Sequence, residues 1–214
     1  MKVKTFLLHA AILSMIAVFL STGCGTRLAN GKKCPPGTRL IGAAPPKGTE
    51  QWCQKKEGWP IKEGFYLEWD PNGQKINEGE YKNGNREGHW TSWYKNGRKR
   101  AEYEYIDGGM ETYFWYWYEN GQQELDGKYR YKNGLGLRKE GPWTEWFENG
   151  QKWAEGEFRN GELEGHFTSW YENGQKQTEG ECKKGIREGL WTFWYENGQK
   201  IQVDELYCVW PSRI

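Results

Sequence analysis

The chain has 214 residues, of which 28% are charged, yet its formal net charge is only +1. That balance argues against nucleic-acid binding driven by counterion release, which needs a basic surface. Only 36% of residues are hydrophobic and mean hydropathy is −1.00, but 16% are aromatic and 14 residues are tryptophan. Aliphatic side chains are too scarce for a conventional Leu/Ile/Val core. Burial must come mainly from rings, each of which covers a large area.

Residues 1–23 read as an export leader. Lys2 and Lys4 form a charged start, and Phe6 to Leu20 form an apolar stretch of signal-peptide length. The stretch is short for a transmembrane span. Its removal takes away two positive charges and turns the formal +1 into −1. The leader ends in Leu20-Ser21-Thr22-Gly23-Cys24. This resembles the lipobox of bacterial lipoproteins, with Ser21 where that pattern usually has Leu. The resemblance implies cleavage before Cys24, lipidation of its sulfur, and residence in a bacterial cell envelope. Because Gly25 and not Asp follows, it implies outer-membrane sorting in a Gram-negative cell. Stable anchoring needs more than one acyl chain. The alternative is ordinary secretory cleavage that leaves Cys24 as a free thiol.

Residues 24–33 then read as the lipidated cysteine and a short flexible tether. Residues 34–62 read as a small cap, with two short strands at Thr38–Ile41 and Gln51–Gln54 set between Pro- and Gly-rich turns. Such a cap would protect the first edge of a sheet. Apart from Cys24 the cysteines are Cys34, Cys53, Cys182 and Cys208, an even number that suggests disulfides in an exported chain. Three connectivities are possible; sequence proximity favours Cys34–Cys53 and Cys182–Cys208. There is no CxxC, and His89 and His166 are the only histidines after the leader, so neither a metal site nor a cofactor is expected.

From residue 63 to 214 the chain is organised by a unit of 24 residues that starts at Glu63, Glu87, Glu111, Glu140, Glu164 and Glu188; the third copy is five residues longer. Asn-Gly recurs at Asn72, Asn96, Asn120, Asn149, Asn173 and Asn197, each followed by Gly. Read as two-residue type I′ loops, these turns give two strands per unit and an antiparallel meander of about twelve strands. Helix is not expected, since no apolar 3.6-residue period is present. The resulting register pairs Tyr66 with Gly79, Phe114 with Gly127, Trp143 with Gly156 and Phe167 with Gly180. A ring can then shield each bare glycine backbone. Tyr81, Tyr105, Tyr129 and Phe158 fall on the same face by parity, and Tyr94, Tyr118, Phe147, Tyr171 and Tyr195 are assigned there too. The opposite face carries one indole per unit: Trp69, Trp93, Trp117, Trp146, Trp170 and Trp194. Thr91, Thr144, Thr168, Thr192 and glutamates such as Glu78, Glu80, Glu155 and Glu157 lie beside them.

Units of the form EG-x-W-x-x-W-Y-x-N-G-x-x-x-x-E-G-x-Y-x-N-G resemble the variant MORN repeat (membrane occupation and recognition nexus) over about residues 63–206. The departures are Tyr103 and Asp204 at the second glycine, Cys182 and Leu206 at the aromatic position, and the insertion in unit three. The resemblance implies an elongated all-β, single-layer meander used for protein or membrane contact. Some members are classed as antitoxins of toxin–antitoxin systems, and the resemblance carries no active site.

The candidate binding residues are therefore the six row tryptophans. Regularly spaced indoles can anchor partner side chains or stack sugars, or simply hold a one-layer sheet together by cross-strand packing. His89, His166 and pairs such as Glu179 and Glu181 read as solvated strand residues within a periodic polar face. The expected function is a non-catalytic, lipid-anchored envelope protein whose sheet binds a protein partner. The alternatives are glycan or cell-wall binding through the Trp row, or an immunity role against a toxin. No motif for an enzyme is present.

Overall fold

The computed structural model of the protein describes residues 27–109, 111–132 and 136–201. The leader, Cys24, Cys208 and the departures Asp204 and Leu206 lie outside the described residues.

The described residues form one open antiparallel sheet of fifteen strands, in which each strand is hydrogen-bonded to the next in sequence except that the ninth and tenth strands both pair with the eighth. Strands β1 (Thr38–Ala43) and β2 (Glu50–Lys55) come from the N-terminal segment. The repeats supply β3 (Lys62–Trp69), β4 (Lys75–Lys82), β5 (Asn85–Trp93), β6 (Lys99–Ile106), β7 (Glu111–Trp117) and β8 (Gln123–Lys132). They continue with β9 (Gly136–Lys139), β10 (Gly141–Trp146), β11 (Lys152–Arg159), β12 (Glu162–Trp170), β13 (Lys176–Lys183), β14 (Ile186–Trp194) and β15 (Lys200–Ile201). No α-helix occurs among the described residues.

The insertion in the third repeat is accommodated as an extra short strand. β9 pairs with the outer part of β8, and β10 pairs with its inner part at Thr144↔Asp126 and Glu145↔Leu125. The register of the meander is thereby resumed after five additional residues.

The predicted cross-strand partners are observed. Tyr66 faces Gly79, Phe114 faces Gly127, Trp143 faces Gly156 and Phe167 faces Gly180. The turns that produce them differ from the expected form. The Asn of the six recurring Asn-Gly pairs does not have positive φ; only the glycine does, as at Gly97 (φ 82) and Gly174 (φ 83). The loop spans three residues, closed by Gly97 N–H to the Tyr94 carbonyl and Tyr94 N–H to the Arg98 carbonyl. A type I turn followed by a left-handed glycine has this pattern. A bulge beside five of the six row tryptophans, as between Ser169 and Trp170, then restores the predicted register. The two-residue positive-φ turns sit at the other end of the repeats, at Asn83-Gly84, Asp107-Gly108, Asn160-Gly161 and Lys184-Gly185.

The core is a ladder of rings along one face. Tyr66, Tyr81, Trp90 and Tyr105 touch in succession, as do Phe114, Tyr129, Trp143 and Phe158, at centroid distances of 5.1–6.4 Å. The ring lying on three of these glycines comes from the following repeat, not from the hairpin partner: Trp90 lies over Gly79, Trp143 over Gly127 and Trp191 over Gly180. This links neighbouring repeats, so no unit completes its own core. Each enclosed ring removes about 150–250 Å² from water. At about 25 cal/mol per Å² that is a gross gain of roughly 4–6 kcal/mol before entropy is charged.

With no second layer described, cations roof the ladder. Lys62 lies over Tyr66 at 4.2 Å, Arg86 over Trp90 at 4.3 Å, Lys139 over Trp143 at 3.8 Å and Arg187 over Trp191 at 4.5 Å. Their long stems cover apolar area while their charges face the ring quadrupoles. Burial holds the Lys139 amine below its ordinary range. Tyr103, which replaces a glycine, is absorbed by stacking on Tyr105 and by a hydroxyl contact of 3.2 Å to Tyr116.

β1 and β2 extend the sheet beyond the first repeat, with Trp52 opposite Tyr66. The Cys34–Cys53 disulfide is present. Cys182 is also disulfide-bonded; the partner expected for it, Cys208, lies outside the described residues. Residues 27–33 are not the flexible tether expected from their composition. They form a tight turn, closed by Leu28 N–H to the Lys32 carbonyl, with Arg27 bridged to Lys33. Leu28 is only 3% exposed, packed on Cys53 and Leu67.

Candidate interaction face

The six predicted tryptophans share the face opposite the ring ladder, and all six are half-buried. Each sits at the end of the first strand of its repeat and faces the residue just after the turn. That residue is Lys75 for Trp69, Lys99 for Trp93, Lys152 for Trp146, Lys176 for Trp170 and Lys200 for Trp194. In the third repeat it is Gln123, opposite Trp117.

The lysine then reaches across to the next indole. Lys75 lies over Trp93 at 4.2 Å, Lys99 over Trp117 at 5.1 Å, Lys152 over Trp170 at 5.7 Å and Lys176 over Trp194 at 5.9 Å. Each of these lysines also pairs with a glutamate three residues on: Glu78, Glu102, Glu155 or Glu179. The row is a ladder of indole, cation and carboxylate that runs from repeat to repeat. The packing role foreseen for the indoles is therefore real, and each ring still keeps part of its surface open. At the turn edge a cleft of about 680 Å³ spans repeats one to three; Trp93 helps to line it, but Asn77, Ser92 and Tyr116 line it from the ring-ladder side.

Carboxylates dominate the remainder of this face. Glu80 faces Glu87, Glu157 faces Glu164 and Glu181 faces Glu188 across neighbouring strands. Like charges placed opposite one another are destabilising. The leading glutamates offset this by accepting turn N–H groups: Glu63 from Asn83, Glu87 from Gly108, Glu140 from Asn160 and Glu164 from Lys184. Burial pushes the Glu78 carboxyl up, but hydrogen bonds from Lys75 and Asn30 outweigh it and hold the group below the usual carboxylate range. Lys176 does the same for Glu179.

His89 is set between Glu102 and Glu104, and His166 between Glu179 and Glu181. Both side chains are more than half exposed. Among the described residues no group of three or more His, Cys, Asp or Glu is arranged to hold a metal ion.

Two sets of residues knit the repeats through hydrogen bonds not expected from sequence. The Tyr94, Tyr118 and Tyr171 hydroxyls donate to the carbonyls of Trp117, Trp146 and Trp194, the row tryptophans of the next repeat. The turn asparagines Asn96, Asn120, Asn149 and Asn173 donate to the carbonyls of Glu119, Glu148, Glu172 and Glu196, one turn further on. Their recurrence at one position of every unit was the available signal.

The family model described as "MORN repeat variant" matches residues 57–83, 86–107, 139–160, 163–183 and 187–205, together just over half of the chain. The chain belongs to the MORN repeat variant family. The third repeat is outside the matched segments, although β7 and β8 pair as the other repeats do. Its departures explain this: Thr112 stands where other MORN repeats have glycine, and the insertion forms β9. No curated protein matches the chain.

Proposed function

We propose that the protein is a non-catalytic, lipid-anchored module of a bacterial cell envelope, and that the tryptophan face of its sheet binds a protein partner. The observation that carries this reading is the row itself. Six indoles recur at one position on an open sheet face, each half-buried and each flanked by charge. Partly enclosed tryptophans surrounded by polar groups are the usual anchors of protein interfaces. An open antiparallel sheet with a periodic row of indoles suits recognition better than chemistry.

The anchor reading rests on the leader and on Cys24. It has a geometric consequence, because residues 27–33 are docked rather than free. Only Gly25 and Thr26 separate Cys24 from Arg27, a reach of at most about 11 Å. A lipid on Cys24 would hold the first end of the sheet close to the bilayer, leaving the later repeats to project away.

The experiment compares wild type with a variant carrying Trp93→Ala, Trp117→Ala, Trp146→Ala and Trp170→Ala, in pull-downs from detergent-solubilised envelope. Circular dichroism monitors folding, and palmitate labelling monitors Cys24. A partner lost by the folded variant supports the reading. Retention of every partner by that variant removes the row from the interface. A soluble-sugar-induced change in tryptophan fluorescence, with no protein partner, favours glycan binding instead.

A further inference from the structure

The first repeat already carries an occupant on its tryptophan face. The turn formed by residues 27–33 lies on it, with Leu28 against Leu67 and beside Phe65 and Trp69. The Ala29 N–H donates to Gln51 Oε1 at 2.8 Å, and Asn30 Nδ2 donates to Glu78 Oε1 at 3.0 Å. The Lys32 amine lies 3.9 Å from Glu78 and 4.3 Å from the centre of the Phe65 ring. Glu78 accepts these groups while also paired with its own sheet lysine, Lys75.

Part of this receptor recurs in the fourth repeat, although Pro142 and Asp126 stand in place of Phe65 and Gln51. Glu155 occupies the position of Glu78 and pairs with Lys152 as Glu78 pairs with Lys75. Trp146 and Trp170 flank it, as Trp69 and Trp93 flank Glu78. Glu157 is exposed and faces Glu164 across the strands, which concentrates negative charge at that point.

We propose that the fourth repeat binds a lysine-bearing β-turn of a partner protein, using Glu155 as the first repeat uses Glu78 for Asn30 and Lys32, with Glu157 adding negative charge beside it. This rests on the protein-interaction reading and specifies the chemistry of the partner. A turn is favoured over a flat strand because the occupant of repeat one is a turn, and it presents its amide and amine from one side. Leu67 is replaced by Thr144 in repeat four, so the second site depends more on charge and on the flanking indoles than the first.

The test uses the full mature chain and a fluorescent, disulfide-cyclised peptide carrying the turn sequence Arg-Leu-Ala-Asn-Gly-Lys-Lys. Binding is read by anisotropy, with tryptophan fluorescence as the second signal. The expected result is binding that weakens as NaCl rises and falls about tenfold in Glu155→Gln/Glu157→Gln. The charge-matched variant Glu148→Gln/Glu172→Gln, altered at the turn edge, should bind as wild type. A peptide with both lysines changed to glutamate should not bind. The proposal is overturned if the peptide fails to bind, or if Glu155→Gln/Glu157→Gln, still folded by circular dichroism, binds it as wild type does. Should the peptide fail while a protein still cross-links to the tryptophan face, the interaction reading stands and only the basic-turn ligand falls.

Discussion

Gly79→Ala tests the packing between repeats at its tightest point. A Cβ on Gly79 would lie 2.1 Å from Cδ2 and 2.3 Å from Cε2 of Trp90. The indole has nowhere to move. It is 2% exposed, lies 5.6 Å from Tyr66 and 5.1 Å from Tyr81, and is roofed by Arg86. Displacing it also breaks the bond from Trp90 Nε1–H to the Glu80 carbonyl at 3.0 Å. Overpacking costs about 1–3 kcal/mol, and the lost hydrogen bond about 0.5–1.5 kcal/mol. Restricting the unfolded chain returns about 0.4–1 kcal/mol. The expected net loss is therefore about 2 kcal/mol, within a range of roughly 0.5–4 kcal/mol, read by urea unfolding under circular dichroism. Gly180→Ala meets Trp191 in the same way, at 2.4 Å, but that indole is only half-buried and has more room to tilt. Its cost should be smaller, about 1 kcal/mol. The reasoning fails if Gly79→Ala unfolds with wild-type stability, or if Gly180→Ala is the more damaging of the two.

Leu28→Ala should open the 27–33 turn, since truncating a buried leucine costs about 2–5 kcal/mol; faster tryptic cleavage after Lys32 and Lys33 is the readout. Tyr94→Phe should lose the bond to the Trp117 carbonyl, about 0.5–1.5 kcal/mol. Phe147→Tyr should gain a comparable amount in urea unfolding, by giving the fourth repeat the hydroxyl that Tyr94, Tyr118 and Tyr171 use. The Glu78 carboxyl is held below its ordinary range. Its stabilising effect is therefore present above the ordinary value of about 4.3 and is lost as pH falls through the lower folded value. Hydrogen exchange of residues 28–32 should rise in that acid window before the ring ladder opens; equal protection at pH 3 and pH 7 would contradict this.

Much of the architecture was legible because the repeats state it several times. The register of Phe167 on Gly180 follows from parity and turn position, and it survived an incorrect turn type. It survived because two irregularities cancel, the longer loop at Asn173-Gly174 and the bulge at Trp170. Neither is visible in residue spacing alone. The ring over Gly79, Gly127 and Gly180 came from the wrong neighbour for a related reason: pairing within a hairpin can be counted along the sequence, whereas the lean of Trp90 toward Gly79 depends on sheet twist. Residues 27–33 were misread because Gly, Asn and Lys suggest a tether, while the single Leu28 that docks them leaves no periodic mark. The lysines over Trp93, Trp117, Trp170 and Trp194 were readable in principle, since the residue after Asn-Gly-x is lysine in most units.

The central claim is that the tryptophan face, not the ring-ladder face, meets the partner. A photo-cross-linking amino acid placed in turn at Thr91, Thr144 and Thr192 on the first face, and at Arg86 and Lys139 on the second, tests it directly in cells. The account predicts one and the same cross-linked protein from the threonine positions and none from Arg86 or Lys139. Cross-links confined to Arg86 and Lys139 would contradict it and move the interface to the roof of the ring ladder.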